Sequence, residues 1–452
     1  MIHKYSMSGY NIVLDVESGG VYVVDDLTFN MLDKMSLPMS KNCPDNFFKE
    51  FSEYTVEEIQ DSYNEIYSLY ENKRLFTNDS GYEKYRHVTE QAPIKAMCLH
   101  VAHDCNLRCK YCFASTGDFG GNRELMSIET AKKAIDFLIK NSGKRRNLEV
   151  DFFGGEPLMN FDVVKKTVEY ARTEEKKFNK NFRFTMTTNG VLLTDDKIEY
   201  LNSEMDNVVL SLDGRKEVND KMRPRVNGDG SYDSIIPKFL KLVKNRGTKD
   251  YYVRGTFTKH NLDFSNDVLH INDCGFDQIS VEPVVCDAKQ EYAITEEDLP
   301  KICEEYELLA NKIVEKKKNN GKINFFHFMI DLNQGPCVIK RLRGCGCGNE
   351  YVAISPDGCI YPCHQFVGME EWKMGNVYEN SLDVNIKNKF SKTTIFDKEK
   401  CNDCWAKFYC SGGCNANNYQ YAGGDILKPY EISCEMEKKR IECAIMIKAA
   451  LA

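Results

Sequence analysis

Six short segments in which apolar residues recur punctuate the middle of the chain as strand candidates: Ile94–Ala102, Leu148–Phe153, Phe182–Thr188, Val208–Leu212, Tyr251–Thr258 and Gln278–Val285. Each has the length of a strand. Between them the apolar positions change to helical spacing. One such stretch starts at Ser127, an N-cap residue, runs through Ile128, Ala131, Ile135 and Leu138, and stops at Gly143; another runs through Ile235, Phe239, Leu242 and Val243. Six β-α units in series predict an α/β fold with a parallel sheet, wound as an open barrel or a doubly wound fold. In either, chemistry collects at the C-terminal ends of the strands.

The two ends of the chain follow other patterns. Asn11–Val16 and Gly20–Val24 read as strands around the turn Glu17-Ser18-Gly19-Gly20, and Asp26–Met35 reads as a short helix. Thr55 and Glu58 form a capping box ahead of Ile59, Tyr63, Ile66 and Tyr70. A hairpin with short helices predicts a winged-helix-like module, either a peptide-docking unit that adds a ligand strand to its edge or a packed extension. Thr77–His87 is polar and reads as a linker. The C-terminal third is dominated by cysteine. The expected domains are 1–88, 89–320 and 321–452.

Charge and composition narrow the picture. In 452 residues there are 60 Lys and Arg against 68 Asp and Glu, a net charge of -8, which gives no reason to expect nucleic acid. The N-terminus has no apolar signal core, and no run approaches the roughly 18 apolar residues of a membrane span. Nineteen cysteines in a chain without an export signal point to metal rather than disulfides, and to a reducing cytoplasm.

The chemistry-bearing positions sit at the predicted strand ends. Cys105, Cys109 and Cys112 follow the first strand at C-x3-C-x2-C spacing. Three thiolates of a cubane would leave one iron open to a non-protein ligand; a zinc site lacking its fourth ligand is the alternative. Gly154-Gly155-Glu156-Pro157, Thr188-Asn189-Gly190 and Ser211-Leu212-Asp213-Gly214 follow the next three strands. Each could be an ordinary turn; four on one edge argue for a site. Downstream come Cys337, Cys345, Cys347, Cys359 and Cys363, then Cys401-x2-Cys404-x5-Cys410-x3-Cys414, Cys434 and Cys443. Eight spaced thiols suit two four-Cys sites, as clusters or as zinc ribbons. Cys98, Cys274, Cys286 and Cys303 read as buried small apolar residues.

The cysteine triplet followed by Gly154-Gly155-Glu156-Pro157 resembles the radical S-adenosylmethionine (SAM) superfamily. Cys345 through Gly358, Cys363, the Cys401–Cys414 run and Cys434 are similar to the SPASM domain, and residues 1–88 resemble the recognition element of ribosomal-peptide-modifying enzymes. His100-Val101-Ala102-His103-Asp104-Cys105 and Tyr361-Pro362-Cys363-His364-Gln365-Phe366-Val367-Gly368 look most like maturases of six-cysteines-in-forty-five (SCIFF) peptides. The resemblance implies a partial (β/α)6 TIM-type barrel, three [4Fe-4S] clusters, SAM, a Cys-rich precursor peptide with a leader, and an electron donor such as ferredoxin or flavodoxin. It implies reductive cleavage of SAM to a radical that takes a substrate hydrogen, followed by thioether closure. By the same resemblance Gly154, Gly155 and Glu156 meet the SAM amino group, Asn189, Ser211 and Asp213 the ribose, and Arg254 the carboxylate. Cys345, Cys401, Cys404 and Cys410 are expected to hold an outer cluster, and Cys363, Cys414, Cys434 and Cys337 an inner one. Two positions depart from the family: Cys347, where a small residue is usual, competes with Cys345, and His364 stands where sulfatase maturases place an Asp base. His364 is either a general base or a structural histidine. Other SPASM reactions, formylglycine formation or dehydrogenation, and a non-catalytic zinc-ribbon protein are the alternatives.

Overall fold

The computed structural model describes residues 1–87, 92–332, 338–379 and 381–452. The chain builds two sheets. The first is antiparallel, in the order β1 (Ile2–Met7), β2 (Tyr10–Asp15), β3 (Val21–Val24). The predicted hairpin is present, and β1 pairs along the whole of β2, from Ile2 opposite Asp15 to Met7 opposite Tyr10. The helix Val56–Glu71 opens on the predicted capping box, with Ile59, Tyr63 and Ile66 buried.

Successive residues of β2 face opposite sides, as a pleated strand requires. Val13 packs with Leu27, Met31, Ile59 and Tyr63 in the module's own core, whereas Ile12 and Leu14 pack into the core of the main body. The module is therefore built into the protein rather than tethered to it. Its contacts reach the last helix, Glu431–Leu451: Tyr5 Oη donates to the Glu442 carbonyl at 2.8 Å, and His3 Nε2 lies 2.9 Å from the Glu442 carboxylate. The His3 ring also stacks on Trp405, with centroids 3.7 Å apart.

The second sheet has eleven strands: β4 (Ala96–His103), β5 (Glu124–Leu125), β6 (Asn147–Gly154), β7 (Asn181–Thr188), β8 (Asn207–Ser211), β9 (Asp250–Phe257), β10 (Gln278–Pro283), β11 (Asn324–Phe325), β12 (Tyr351–Ile354), β13 (Cys359–Tyr361) and β14 (Gly375–Asn376). Their order is β11-β10-β9-β8-β7-β6-β4-β12-β13-β14, with β5 on the end of β4. All six predicted strands are present, with ends shifted by at most two residues. From β4 to β11 neighbours on the path pair in parallel, so the crossovers carry helices such as Ile128–Asn141 and Phe161–Phe178. The sheet does not close on itself, which is the expected partial barrel.

The sheet also runs across the expected boundary near residue 320. Strand β12 pairs in parallel with β4, Tyr351 opposite Ala96 and Ile354 opposite Leu99, and then turns back as the antiparallel β13 and β14. Every residue of β4 is buried. The strand that delivers Cys105 is thus clamped between the barrel and the cysteine-rich segment. Among the described residues no helix is long and apolar enough to cross a membrane.

Candidate active site

The loops after β4, β6, β7 and β8 meet over one cavity of about 280 Å³. Cys105, Cys109 and Cys112 line it, with Gly154, Gly155, Glu156, Asn189, Ser211, Arg223, Arg254, Glu282, His364 and Gln365. The glycines allow a close approach of two backbones. Gly155 N–H donates to the Ala102 carbonyl at 2.7 Å and Glu156 N–H to the Asp104 carbonyl at 2.9 Å. A Cβ on Gly155 would stand 2.1 Å from Asp104 O, and one on Gly154, whose φ is +127°, 2.1 Å from Ala102 O. The Gly-Gly-Glu turn is in this way stitched to the chain entering Cys105.

Glu156 is buried, with one acceptor site of its carboxylate left over. It accepts from Leu158 N–H at 3.1 Å, Thr188 Oγ1 at 2.7 Å and Asn189 N–H at 2.8 Å. Burial raises its pKa, and these bonds oppose the rise. Asn189 Nδ2 donates to Asn106 Oδ1 at 2.8 Å and lies 3.7 Å from Cys105 Sγ.

Asp213 does not take the expected place at the ribose. Its side chain is completely buried and is not part of the cavity wall. Its oxygens receive the Tyr111 hydroxyl and, at 3.1 Å, Thr256 N–H; Arg223 Nη1 donates to Tyr111 Oη at 2.9 Å. The residue fastens the cysteine loop, through Tyr111, to the ends of β8 and β9. Burial pushes Asp213 up to about 6 against the pull of Arg223 and its hydrogen bonds. Arg254 does line the cavity, but its guanidinium is held by Glu282 at 2.7 Å. Burial would raise Glu282; Arg254 and His327 outweigh it and hold the carboxyl at about 2.

The donor set fits a cluster. Burial pushes Cys105 up to about 12 and Cys109 to about 11 and raises Cys112, while Arg223 pulls the last two back. Buried thiols of this kind become thiolates by binding metal. Among the described residues no three His, Cys, Asp or Glu side chains surround a single ion position. A cubane distributes its thiolates over separate irons, so three thiols around one cavity suit it.

His364 lines the same cavity. Its ring packs between Phe113 and Phe153, at centroid distances of 5.5 and 5.2 Å. Burial, with Arg254 adding to it, lowers its pKa to about 4, so the imidazole is neutral at neutral pH. Beside it lie the remaining thiols, sorted differently from the expectation. Cys347 S–H hydrogen bonds Cys363, which lowers Cys363 below the ordinary thiol range, and both Cys345 and Cys414 lie within electrostatic reach of Cys347. Cys401, Cys404, Cys410 and Cys434 interact with one another instead. Cys434 changes groups because the helix Glu431–Leu451 runs back against the short helix Lys407–Cys410. Cys345 joins the other group because the turn carrying it is tied to the Cys363 strand, Gly348 N–H donating to Pro362 O at 3.0 Å. Gln365 Nε2 lies 3.9 Å from Cys414 Sγ, so the Cys363 group borders the cavity and is the inner one. Cys337 lies outside the described residues. Cys359, left unassigned by its spacing, donates to Asp357 Oδ2 at 3.1 Å.

Two family patterns match the chain: the Radical SAM superfamily over residues 99–260 and the SPASM iron-sulfur cluster-binding domain over residues 345–405. A protein of Methanocaldococcus jannaschii, MJ0907, is 31% identical over 320 residues, 70% of this chain and 96% of that protein. The chain belongs to the radical SAM superfamily. Radical SAM proteins with a SPASM domain use [4Fe-4S] clusters and SAM, in keeping with the thiols above. The radical SAM cyclopropyl synthase TigE of Paramaledivibacter caminithermalis is 24% identical over 93% of this chain and 89% of that protein. A cysteine-type anaerobic sulfatase-maturating enzyme of Clostridium novyi is 26% identical over 70% and 86%. Two solved structures share the fold. Native anSMEcpe with bound AdoMet has a TM-score of 0.66 at 20% identity, over 79% of this chain and 99% of that one. SuiB of Streptococcus suis bound to precursor peptide SuiA has a TM-score of 0.53 at 18% identity, over 94% and 96%.

Arg223, Glu282 and the Tyr111–Asp213 bond were not legible as site features of this radical SAM chain. A single charged residue carries no periodic or spacing signal, and only the fold shows Arg223 and Asp213 buried 3.7 Å apart and Glu282 at the cavity beside Arg254.

Proposed function

We propose that the protein forms an intramolecular thioether between a Cys sulfur and a backbone or side-chain carbon of a ribosomally made, Cys-rich precursor peptide. The observation that carries this reading is the shared cavity: the Cys105–Cys112 loop and the pair His364 and Gln365, next to Cys363 and Cys414, line the same space. A peptide in this space lies within reach of both sets of thiols. The likeness to TigE and to the peptide-bound SuiB fold supports a peptide substrate.

We assign an iron–sulfur cluster to Cys105, Cys109 and Cys112; with SAM it supplies one-electron chemistry able to take a hydrogen atom from carbon. Gly154, Gly155 and Glu156 receive the SAM amino group, Asn189 and Ser211 the ribose, and Arg254 the carboxylate, with Glu282 releasing or sharing the guanidinium. Neutral His364, whose pKa burial lowers to about 4, is too weak a base for a thiol and is read as the structural histidine of the cavity lining. Further clusters at the inner and outer thiol groups would bring the total to three; an external protein such as ferredoxin or flavodoxin would supply the electron that cleaves SAM, and the inner cluster would accept the electron released when the substrate sulfur bonds the carbon radical. The open edge of β3 receives the leader.

The test is mass spectrometry of a small Cys-rich peptide after anaerobic incubation with the protein, SAM and reductant. A thioether leaves the peptide two hydrogens lighter with one thiol lost to alkylation. Formylglycine formation, the second reading supported by the Clostridium novyi relative, converts a Cys to an aldehyde that hydrazides capture. Stoichiometric zinc in place of iron at Cys401–Cys414 overturns the auxiliary-cluster assignment.

A further inference from the structure

Between the two SPASM thiol groups lies a lysine. Lys398 is only 2% exposed, and its ammonium donates to the Gly412 carbonyl at 2.7 Å and to Asn415 Oδ1 at 3.1 Å. Both acceptors are neutral. Among the described residues no carboxylate lies within ion-pair distance of it, whereas the other buried lysine of this segment, Lys407, pairs with Glu17 at 2.7 Å. A buried cation without a counter-anion is strongly disfavoured.

The anions it faces are thiols. Lys398 interacts electrostatically with Cys401, Cys410 and Cys434 of the outer group and with Cys414 of the inner one. Its position is built by the turn Cys410-Ser411-Gly412-Gly413-Cys414, which links the two groups. Gly412 has a φ of +84°, and a Cβ there would stand 3.1 Å from Lys398 Nζ and Cδ, so the turn closes directly over the lysine stem. Asn418 Nδ2 donates to the same Gly412 carbonyl at 3.3 Å and fixes it as an acceptor.

A [4Fe-4S] cluster held by four thiolates is an anion that becomes more negative on reduction, and net charge is one of the determinants of its potential. We propose that Lys398 is the shared counter-cation of the two SPASM clusters and raises their reduction potentials. This rests on the reading that both thiol groups hold clusters. Lys398 is a positioning residue: it touches neither substrate nor SAM, and sets how readily the auxiliary sites accept an electron.

The experiment is a redox titration of the anaerobically reconstituted full chain, followed by electron paramagnetic resonance, with iron and sulfide counted first. The signal that changes on adding SAM marks the Cys105–Cys112 cluster; the others are the auxiliary ones. In Lys398→Met the auxiliary signals are expected to move to lower potential: at the wild-type midpoint the ratio of reduced to oxidised cluster falls about tenfold, about 59 mV for a one-electron couple. The SAM-responsive signal stays in place, and Lys398→Arg, which keeps the charge, stays near wild type. Full iron with an unmoved auxiliary midpoint in Lys398→Met overturns the inference, as does an equal shift in Lys398→Arg. If Lys398→Met does not load, Lys398→Gln is titrated in its place. Loss of auxiliary iron in both neutral variants with retention in Lys398→Arg supports the counter-cation; loss in all three makes the lysine a structural pin and overturns it. Wild-type protein without SPASM iron refutes the cluster reading itself, which the iron count reveals before any titration.

Discussion

The Tyr111 hydroxyl stands 2.7 Å from both carboxylate oxygens of Asp213. Tyr111 lies between two cysteines of the SAM loop, so this bond is the loop's anchor to the barrel. Tyr111→Phe leaves a buried carboxylate short of a donor and is expected to cost about 1–3 kcal/mol. The cost depends on pH. Asp213 is raised from 3.8 to about 6 in the fold, so the stability associated with its protonation is complete below about 4 and is lost as pH rises through about 6. Removing the donor raises it further. The variant should therefore lose most well above pH 6 and least below it, as denaturant unfolding at the two pH values would reveal; equal losses would mean that the bond is not to an ionised carboxylate.

Gly155→Ala tests the contact between the Gly-Gly-Glu turn and the cysteine loop. The new Cβ would meet Asp104 O at 2.1 Å, backbone against backbone, so a main chain must move. A loss of about 1–3 kcal/mol is expected, as for other overpacked sites, together with weaker SAM binding measured by equilibrium dialysis. Wild-type SAM affinity in a folded Gly155→Ala protein would separate the turn from the SAM site.

The thiol groups predict which iron each substitution removes. Cys105→Ala, Cys109→Ala and Cys112→Ala together should abolish SAM cleavage and remove about one third of the iron, by the four-ligand rule applied to three clusters. Cys434→Ala should deplete the outer site, since Cys434 sits with Cys401, Cys404 and Cys410. Cys363→Ala, at the inner site bordering the cavity, should keep 5′-deoxyadenosine production but stop crosslinking. Mössbauer spectra with chromatography of the nucleoside product check both; crosslinking at the normal rate in iron-depleted Cys363→Ala would make the inner site structural.

Deleting residues 1–88 is a poor test of leader docking, because Met7, Ile12 and Leu14 belong to the main core. The edge of β3 offers a finer one. Asp15 N–H bonds Gly20 O at 2.8 Å, and alternation along the hairpin then turns the backbone groups of Val21 and Val23 away from β2. Val23→Pro removes one outward N–H without breaking the ladder. Precursor affinity by fluorescence anisotropy should fall, with peptide-free SAM cleavage unchanged; undiminished affinity would return the module to a packing role.

The barrel was legible because its strands are short and rich in apolar residues, buried throughout in β4 and at alternate positions in β6 and β7, and the SAM loop because its three thiols are close in sequence. Strand β1 was not: Ile2-His3-Lys4-Tyr5-Ser6-Met7 mixes polar and apolar residues without a clear alternation, and its half-buried side chains are covered by a helix from the other end of the chain. The structure groups Cys345 and Cys434 differently from what the resemblance implies. Cys434 meets Cys401 and Cys404 only because the last helix runs back to them, and Cys345 meets Cys363 and Cys414 through the turn tied to the Cys363 strand, contacts that spacing along the chain does not carry. Asp213 was placed at the ribose by the family resemblance; its burial against Tyr111 is a property of packing that the sequence does not carry.

The pairing of β12 with β4 bears on how the chain is made. Ala96 and Tyr351 are partners although more than half the chain separates them, so this contact carries a large loop-closure entropy. During synthesis all six barrel strands emerge while β4, the most thoroughly buried of them, still shows one bare side. An unpaired apolar edge is a template for association with other chains. The cysteine-rich tail therefore has a second task, independent of iron: its first hairpin seals the nascent barrel, and a chain terminated near residue 320 would be a sticky intermediate rather than a smaller enzyme.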